Sequence, residues 1–408
     1  MGRQGKRVLL AVVLAFLALA PSACWSRREI ETLGFVLALG VDRAARQELV
    51  QLTVQVAKPV AIPSGTQAGG GGATMEKPFW TVGGTGRTAF EALRNLHRLS
   101  PRRLYLAHNR HLIFGEEAAR QGVGRYLDFF LRHPQSRRLV RVMVVEKSRA
   151  ADLLQAEFEL EPLPAEGLFF LEEGVRTQLS TGLVVELGDF LQMLEDEGIE
   201  PVAERVELVR KLPGEITGKL ERREVLSSPK LSGAAAFKGD RLVGWLDERE
   251  TRGLLWVKGE VRGGTVVVPQ PEVQGKFATL EILRAKSKVR PVKKDGKVAI
   301  AVKVETEAEL REAQAFLDPV NNRELLASIE RRLATAIRSE ILAAVRRAQA
   351  DLRSDIFGFG ATVHRSLPHD WRRLRDNWDG LFPSLPVEVE VKARLRRSGL
   401  AGRSIQIK

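Results

Sequence analysis

Cysteine is nearly absent from this sequence, since Cys24 is the only one among 408 residues. A single thiol excludes an intramolecular disulfide and cannot build a cysteine-based metal cluster. Long apolar runs are equally scarce after that position, which excludes a membrane protein with several spanning helices. The composition, 44% hydrophobic and 28% charged residues, is that of a globular chain with a core. The length allows two or three domains.

Motifs for the common hydrolytic and metal chemistries are missing as well. The sequence has no Gly-x-Ser-x-Gly elbow. The four glycines at 69–72 lack the Lys-Ser/Thr that a phosphate-binding loop requires, so we expect only a mobile loop there. His108 and His111 are three residues apart with no glutamate between them, unlike the pair on a zinc-binding helix. We therefore expect no catalytic residue, no metal site, no cofactor and no enzymatic activity.

Basic residues exceed acidic ones. The chain has 64 Lys and Arg against 51 Asp and Glu, which gives a net charge of +13. The arginine pairs are scattered and rarely have aromatic neighbours, so we predict no platform for stacking nucleic acid bases. Two interpretations of the excess positive charge stay open. Either it belongs to an ordinary solvated surface, or it attracts the chain to an anionic phospholipid surface.

The N-terminal segment has the three parts of an export signal. Three basic residues precede an uncharged apolar run at 8–20, and Ser22 and Ala23 then precede Cys24. The run is shorter than the ~20 residues that a spanning helix needs. The end of this segment resembles a bacterial lipobox, apart from a proline where leucine is usual. That resemblance implies cleavage before Cys24, a diacylglyceryl group on its thiol, and a mature net charge of +10 because 1–23 carries three basic residues.

The patterns along the chain predict the α+β fold class with three mixed α/β domains. Alternation at 50–56 predicts a half-exposed strand, and Thr88 and Glu91 predict a capped helix whose core face includes Phe90. Strands and helices alternate in this first part of the chain. We divide the chain into a lipoprotein signal peptide at 1–23, an N-terminal α/β domain at 24–150, a middle domain at 151–230 and a C-terminal domain at 231–408.

The C-terminal segment has the clearest secondary structure. Asp295 and Gly296 predict the turn of a hairpin within 282–304. Apolar residues recur every three or four positions from 323 to 351, which predicts one long helix with Asn321 and Asn322 as candidate caps. Alternation from 387 to 395 predicts a final strand. With the strands predicted at 233–237 and 241–245, we interpret this block as a twisted antiparallel sheet packed with a long helix.

Several motifs in order resemble the Ger(x)C family, the C subunits of spore germinant receptors. The motifs are 24–30 (CWSRREI), 34–42 (GFVLALGVD), 108–116 (HNRHLIFGE), 128–132 (DFFLR), 139–146 (LVRVMVVE), 233–246 (GAAAFKGDRLVGWL), 251–256 (TRGLLW), 355–360 (DIFGFG), Trp371 and Trp378. The resemblance covers nearly the whole mature chain. It implies a non-enzymatic lipoprotein anchored through Cys24 at the outer face of the spore inner membrane. It also implies two integral membrane partners, the A and B subunits, and a response to small nutrient germinants.

A second function stays open from the residues alone. A lipoprotein that binds a small nutrient directly would also carry an anchored cysteine. Such proteins usually have doubly wound βα repeats around a hinge. The antiparallel stretch predicted after residue 231 argues against that architecture.

Overall fold

Two β-sheets form the framework of the protein. The computed structural model describes residues 29–46, 48–58, 77–210, 227–318 and 321–397, besides positions 2, 4 and 5. Cys24, nearly all of the predicted signal and the glycine run at 69–72 lie outside these ranges. No helix within them combines the length and the apolar character needed to cross a membrane.

The larger sheet has nine strands in the described residues. Four parallel strands, in the order β1-β5-β6-β7, make its centre, and antiparallel pairs extend it on both sides, β2-β3 next to β1 and β8-β9 next to β7. The short β4 pairs with the start of β1. The strands are β1 (Leu33–Arg43), β2 (Val50–Ala57), β3 (Phe79–Gly86), β4 (Arg103–Tyr105), β5 (His111–Gly115), β6 (Arg141–Glu146), β7 (Val202–Arg210), β8 (Ser227–Lys238) and β9 (Arg241–Leu246).

The second sheet has the order β10-β11-β12-β13. Its strands are β10 (Thr265–Pro269), β11 (Phe277–Lys294), β12 (Lys297–Ala313) and β13 (Val387–Arg397). Asp295 and Gly296 both have positive φ, at 48° and 76°, as a two-residue hairpin turn requires. The hairpin predicted within 282–304 is confirmed and extends further along both strands.

The prediction that this last sheet is antiparallel is wrong for one strand. β13 lies parallel to β12, with Ile300 opposite Val387. The reason is the connection, because the chain between the two strands runs through the long helix and returns to the same end of the sheet, as a crossover does. β8 and β9 also pair with β7 rather than with β10–β13.

Eleven helices in the described residues cover these sheets. They are α1 (Ala89–Leu96), α2 (Glu116–Gln121), α3 (Gly124–Arg132), α4 (Ala150–Leu153), α5 (Pro164–Gly174), α6 (Leu187–Glu195), α7 (Glu248–Lys258), α8 (Arg323–Arg346), α9 (Phe359–Ser366), α10 (Pro368–Leu374) and α11 (Trp378–Leu381). α5 and α8 each continue into a π-helical turn, Val175–Leu179 and Arg347–Leu352. Together with the two mixed sheets, they confirm the α+β fold class.

The helices begin where the sequence predicts caps. The Thr88 hydroxyl accepts a hydrogen bond from the Glu91 N–H at 3.1 Å, and the Asn322 side chain accepts from the first turn of α8. The predicted apolar stripe of α8 is buried, with Leu333 and Ile337 fully inaccessible. Phe90 is the exception to the predicted core face of α1, since it is 45% exposed.

The larger sheet takes strands from all three predicted domains. β1 to β6 come from 24–150, β7 from 151–230, and β9 from 231–408. β8 crosses the predicted border at 230/231, so that border does not separate two sheets. One hydrophobic core is continuous from the larger sheet to α8 and the second sheet. The division into three domains stays a prediction.

Candidate functional site

The one residue for which the sequence predicts a function, Cys24, lies outside the described residues. Its place relative to the fold follows from the sequence, because β1 begins at Leu33, nine residues later. Lipidation of the thiol stays a prediction. The described residues instead show what the other sequence motifs do.

Asp355, the first residue of the DIFGFG motif, is a buried hydrogen-bond acceptor. Its carboxylate accepts from the N–H groups of Phe359 at 3.1 Å and Gly360 at 2.8 Å, and from Trp378 Nε1 at 3.0 Å. Burial raises its pKa from 3.8 to about 6, although these three hydrogen bonds act to lower it. Asp355 therefore fastens the start of α9 to the start of α11.

The glycines of this motif allow a close approach between backbones. A Cβ atom on Gly360 would lie 2.8 Å from Trp378 Nε1 and 2.9 Å from the Cα of Gly198. The Glu200 N–H donates to the Asp355 carbonyl at 2.9 Å, which joins the same motif to the chain before β7. The motif and the second tryptophan thus form a joint between the larger sheet and the helices that follow α8.

A second buried carboxylate joins α7 to α8. Glu340 accepts from Trp256 Nε1 at 2.9 Å and from Arg252 Nε at 2.9 Å. Gly253, between these two donors in the TRGLLW motif, lets the backbone of α8 approach α7, because a Cβ there would overlap the Glu340 carbonyl. This motif too holds two helices together.

A third buried carboxylate, Asp42, is the last residue of the 34–42 motif. It is 3% exposed and accepts from the N–H groups of Ala150 at 2.7 Å and Ala151 at 3.0 Å. Burial raises its pKa, and the two backbone hydrogen bonds oppose that rise. Asp42 therefore fixes the start of α4 against the end of β1.

An ionic cluster lies between β5, β6 and α5. Glu172 is 1% exposed and contacts both His111 Nε2 at 3.0 Å and Arg141 Nη1 at 2.8 Å. Arg141 also donates to Glu173 at 2.6 Å, and its guanidinium carbon lies 4.1 Å from the ring centroid of Phe169. Because Arg176 also pairs with Glu173, two arginines balance the two carboxylates, and the cluster is a compensated buried group rather than an open site.

Glu204 on β7 is the exception among these buried acids. It is 1% exposed, and its only described polar partner is the N–H of Leu183, while Oε1 has no hydrogen-bond partner within the described chain. Burial, and then the negative charge of Glu172, raise its pKa well above 4.5. The folded state therefore favours the protonated carboxyl.

Glu204→Gln is expected to stabilise the protein at neutral pH. Because the pKa of Glu204 is higher in the folded state than in the unfolded state, the wild type loses stability as pH rises from 4.5 through the folded pKa. The variant does not, because its amide cannot ionise. The amide keeps an oxygen that accepts from the N–H of Leu183. Thermal melts at pH 4 and pH 7.5 test this, and we expect the variant's Tm to exceed that of the wild type by a few degrees at pH 7.5 only.

Glu195→Gln is the matched control, because Glu195 is exposed at the end of α6. We expect it to leave Tm unchanged at both pH values, since an exposed carboxylate keeps its hydration. An equal Tm for Glu204→Gln and the wild type at pH 7.5 would show that Glu204 is not held neutral by the fold.

An arginine-lined cleft opens between α7, α8 and the edge strand β10. Its volume is about 790 Å³, and Arg249, Arg252, Arg331 and Arg332 are among its lining residues. Arg252 is bound to Glu340, whereas Arg331 projects from α8 and is exposed. The cleft therefore presents positive charge to solvent and could hold an anionic group.

Apart from Glu204, the buried carboxylates of Asp42, Glu172, Glu340 and Asp355 are thus engaged by backbone, tryptophan or arginine donors. No group of three His, Cys, Asp or Glu side chains in the described ranges could hold a metal ion. His108 is exposed while His111 is buried against Glu172, so the structure separates these two histidines. Chemically, the described arrangement holds elements together and offers one cationic cleft.

Two family models match the chain in succession. "Spore germination protein N-terminal domain" matches residues 26–208, and "Spore germination B3/GerAC like, C-terminal" matches residues 232–399. Together the two models span both sheets and the helices that cover them. This architecture is therefore the fold of a spore germination protein. The chain belongs to the Ger(x)C family of spore germination proteins, as its motifs predicted.

Relatives in Bacillus subtilis (strain 168) are similar over the whole length. Spore germination protein KC is 25% identical over 98% of this chain and 98% of its own length. Spore germination protein B3 is 25% identical over 96% of this chain and 98% of its own. The crystal structure of the GerBC protein matches 90% of this chain and 99% of its own with a TM-score of 0.54 and 21% identity, which shows a shared fold. The protein therefore has a role related to spore germination.

Sequence reasoning missed the roles of the buried acids and the cleft. Asp42 and Asp355 served only as family markers, although Asp42 ends one apolar run and Asp355 begins another, and an acidic residue bordering an apolar run is a signal of a buried acceptor. Arg331 and Arg332 were one scattered pair among several, and nothing local in the sequence places them opposite Arg249.

Proposed function

We propose that this protein is a lipid-anchored, non-enzymatic subunit of a spore germinant receptor complex. Its diacylglyceryl group on Cys24 holds the folded chain at the outer face of the spore inner membrane. Its partners there are the integral membrane A and B subunits of the receptor. The complex responds to a small nutrient and starts germination.

One observation carries this proposal. Full-length relatives named as spore germination proteins align with 96–98% of this chain, and the first family model begins at residue 26, two residues after Cys24. A domain that begins at the predicted lipidated residue is the arrangement expected of an anchored extracellular part. The structural use of Asp42, Glu340 and Asp355 supports a scaffold, because their oxygens are occupied by donors that join elements.

Deletion of the gene in its spore former tests the proposal. We expect spores that form normally, with unchanged yield and heat resistance, but that no longer respond to at least one nutrient. Reintroduction of the wild-type gene should restore that response. Germination that is unchanged across a broad nutrient panel, in a strain that also lacks the paralogous genes, would rule the proposed role out.

The arginine-lined cleft favours a second candidate, which is direct binding of a small anionic nutrient. Arg331 and Arg332 lie on α8 facing β10 in an open volume large enough for a small molecule. Calorimetric titration of the purified chain with acidic and neutral amino acids and with sugars separates the two functions. Saturable binding that Arg331→Ala abolishes would support direct capture, and no heat with any compound would support the scaffold.

A further inference from the structure

A small apolar pocket lies at the end of the molecule where β1 begins. The starts of β1 and β3, the end of β2 and the turn after α1 enclose a volume of about 450 Å³. Val56, Trp80, Leu99 and Pro101 contribute apolar walls, and Arg102 lies at the rim. Leu99 is 59% exposed, so its side chain adds apolar surface at the mouth of the pocket. We call this feature the anchor-end pocket.

Basic residues lie at one edge of the anchor-end pocket. Residues 92–115 contain five arginines and no acidic residue. Arg102 and Arg103 are exposed at the turn before β4. The pKa of His97 is lowered, first by partial burial and then by the positive charges of Arg94 and Arg103. Arg98, Arg102 and Arg103, all exposed, therefore form an arginine rim along one edge of the apolar pocket.

The pocket is also the part of the fold nearest to the anchor. Nine residues separate Cys24 from Leu33, so the tether spans at most about 30 Å even when fully extended. A folded chain of this size is about 50 Å across, so only this end of the molecule can lie against the membrane. Ile30, in the turn before β1, is 70% exposed and adds apolar surface here, and Glu29 and Glu31 are the acids beside it.

An apolar pocket with a tryptophan in its wall and exposed arginines at one edge matches one kind of surface. Tryptophan and basic side chains are enriched at the boundary between lipid headgroups and acyl chains. Anionic lipids attract basic residues by about 1 kcal/mol each near the surface. A protein partner of the same chemistry would need a surface that is both acidic and apolar, whereas an anionic bilayer supplies both properties wherever the tether holds the chain.

We propose that the anchor-end pocket and its arginine rim dock onto the surface of an anionic phospholipid bilayer. Leu99 and Trp80 then contact the acyl boundary, and Arg98 and Arg102 contact the phosphates of the headgroups. The docking fixes the orientation of the tethered protein and leaves the second sheet and the arginine-lined cleft away from the membrane. The tether limits the orientation of the protein only if Cys24 is lipidated, which rests on the proposed function. The pocket and its charge do not depend on that proposal.

Co-sedimentation with vesicles tests the docking without the anchor. The probe is the chain from residue 24 onward with Cys24→Ser, so that no lipid is attached, mixed with vesicles of phosphatidylcholine containing 30% phosphatidylglycerol. We expect binding that falls when salt is raised from 0.1 to 0.5 M, and none to pure phosphatidylcholine. The double variant Arg98→Glu, Arg102→Glu should weaken binding by at least tenfold, and Leu99→Asp should weaken it several-fold.

The matched control is Lys288→Glu with Arg290→Glu, which makes the same charge change at two exposed positions of β11 in the second sheet. Equal loss in both double variants would overturn the proposal, because binding would then follow net charge alone. Unchanged binding in the anchor-end variants would overturn it too. If the same variants bound vesicles like the wild type but no longer recovered the receptor subunits from spore membranes, the surface would be assigned to a protein partner. Because this probe carries no lipid, the result does not depend on whether Cys24 is modified in the cell.

Discussion

Asp355→Ala is expected to destabilise the fold more than any other single change to a described side chain. It leaves three buried donors, the N–H groups of Phe359 and Gly360 and the indole N–H of Trp378, without their acceptor. Each unsatisfied buried donor costs about 1–3 kcal/mol, so we expect a loss of about 3–5 kcal/mol. That is a large part of the stability of a typical domain. Thermal and urea unfolding of the unlipidated chain measure it.

Asp379→Ala is the matched control, because this nearby aspartate is 68% exposed in its ion pair with Lys238. Exposed ion pairs contribute little, so we expect a change below about 1 kcal/mol. Similar losses for both variants would contradict the role given to Asp355.

Asp355→Asn tests the same joint through its pH dependence. The folded pKa of about 6 lies above the unfolded value of 3.8. Stability from this group is therefore fully present below pH 3.8 and is lost as pH rises through 6, by up to about 3 kcal/mol. The asparagine variant cannot ionise, so the difference between wild type and variant should change between pH 4 and 6 and stay constant above 7. A constant difference over the whole range would show that Asp355 titrates normally.

Cys24→Ala has the largest expected effect on function. A thioether to a diacylglyceryl group needs the sulfur atom, so the variant should carry no lipid at all. Two acyl chains give stable anchoring that the protein surface alone does not supply. We expect loss of the lipid mass in the isolated chain and loss of the nutrient response that deletion of the gene also removes.

Ser26→Ala, two residues further along, is the control for changes near the predicted cleavage position. It should keep the lipid mass and the nutrient response. Normal germination of spores that hold Cys24→Ala at the wild-type level would contradict the anchor's role, and an unmodified Cys24 in the wild type would contradict lipidation itself.

Local patterns predicted the elements that depend on local contacts. The turn at Asp295 and Gly296, the capped start at Asn322 and the buried stripe of α8 follow from turn chemistry and from a period near 3.6 residues. These features depend on neighbours within a few positions of the chain. Their agreement with the structure shows that short-range sequence patterns are enough to predict elements of this kind.

Long-range pairing was beyond the same patterns. Alternation in β13 shows that one face is buried, and it is identical for a parallel and an antiparallel neighbour. The strands β8 and β9 are a local hairpin, and only tertiary packing places them beside β7. The acceptor role of Asp355 depends on Trp378, 23 residues away, and the anchor-end pocket joins four segments from Gly34 to Arg102.

Cross-linking in intact spore membranes, followed by affinity purification through a C-terminal tag, tests the central claim most directly. The account predicts that two integral membrane proteins, the A and B subunits, are recovered with this chain in near-equal amounts. It also predicts that their recovery falls sharply with Cys24→Ala, because the anchor brings the chain to the membrane in which they lie. Recovery of this chain alone, from membranes in which both proteins are present, would contradict its assignment as a receptor subunit.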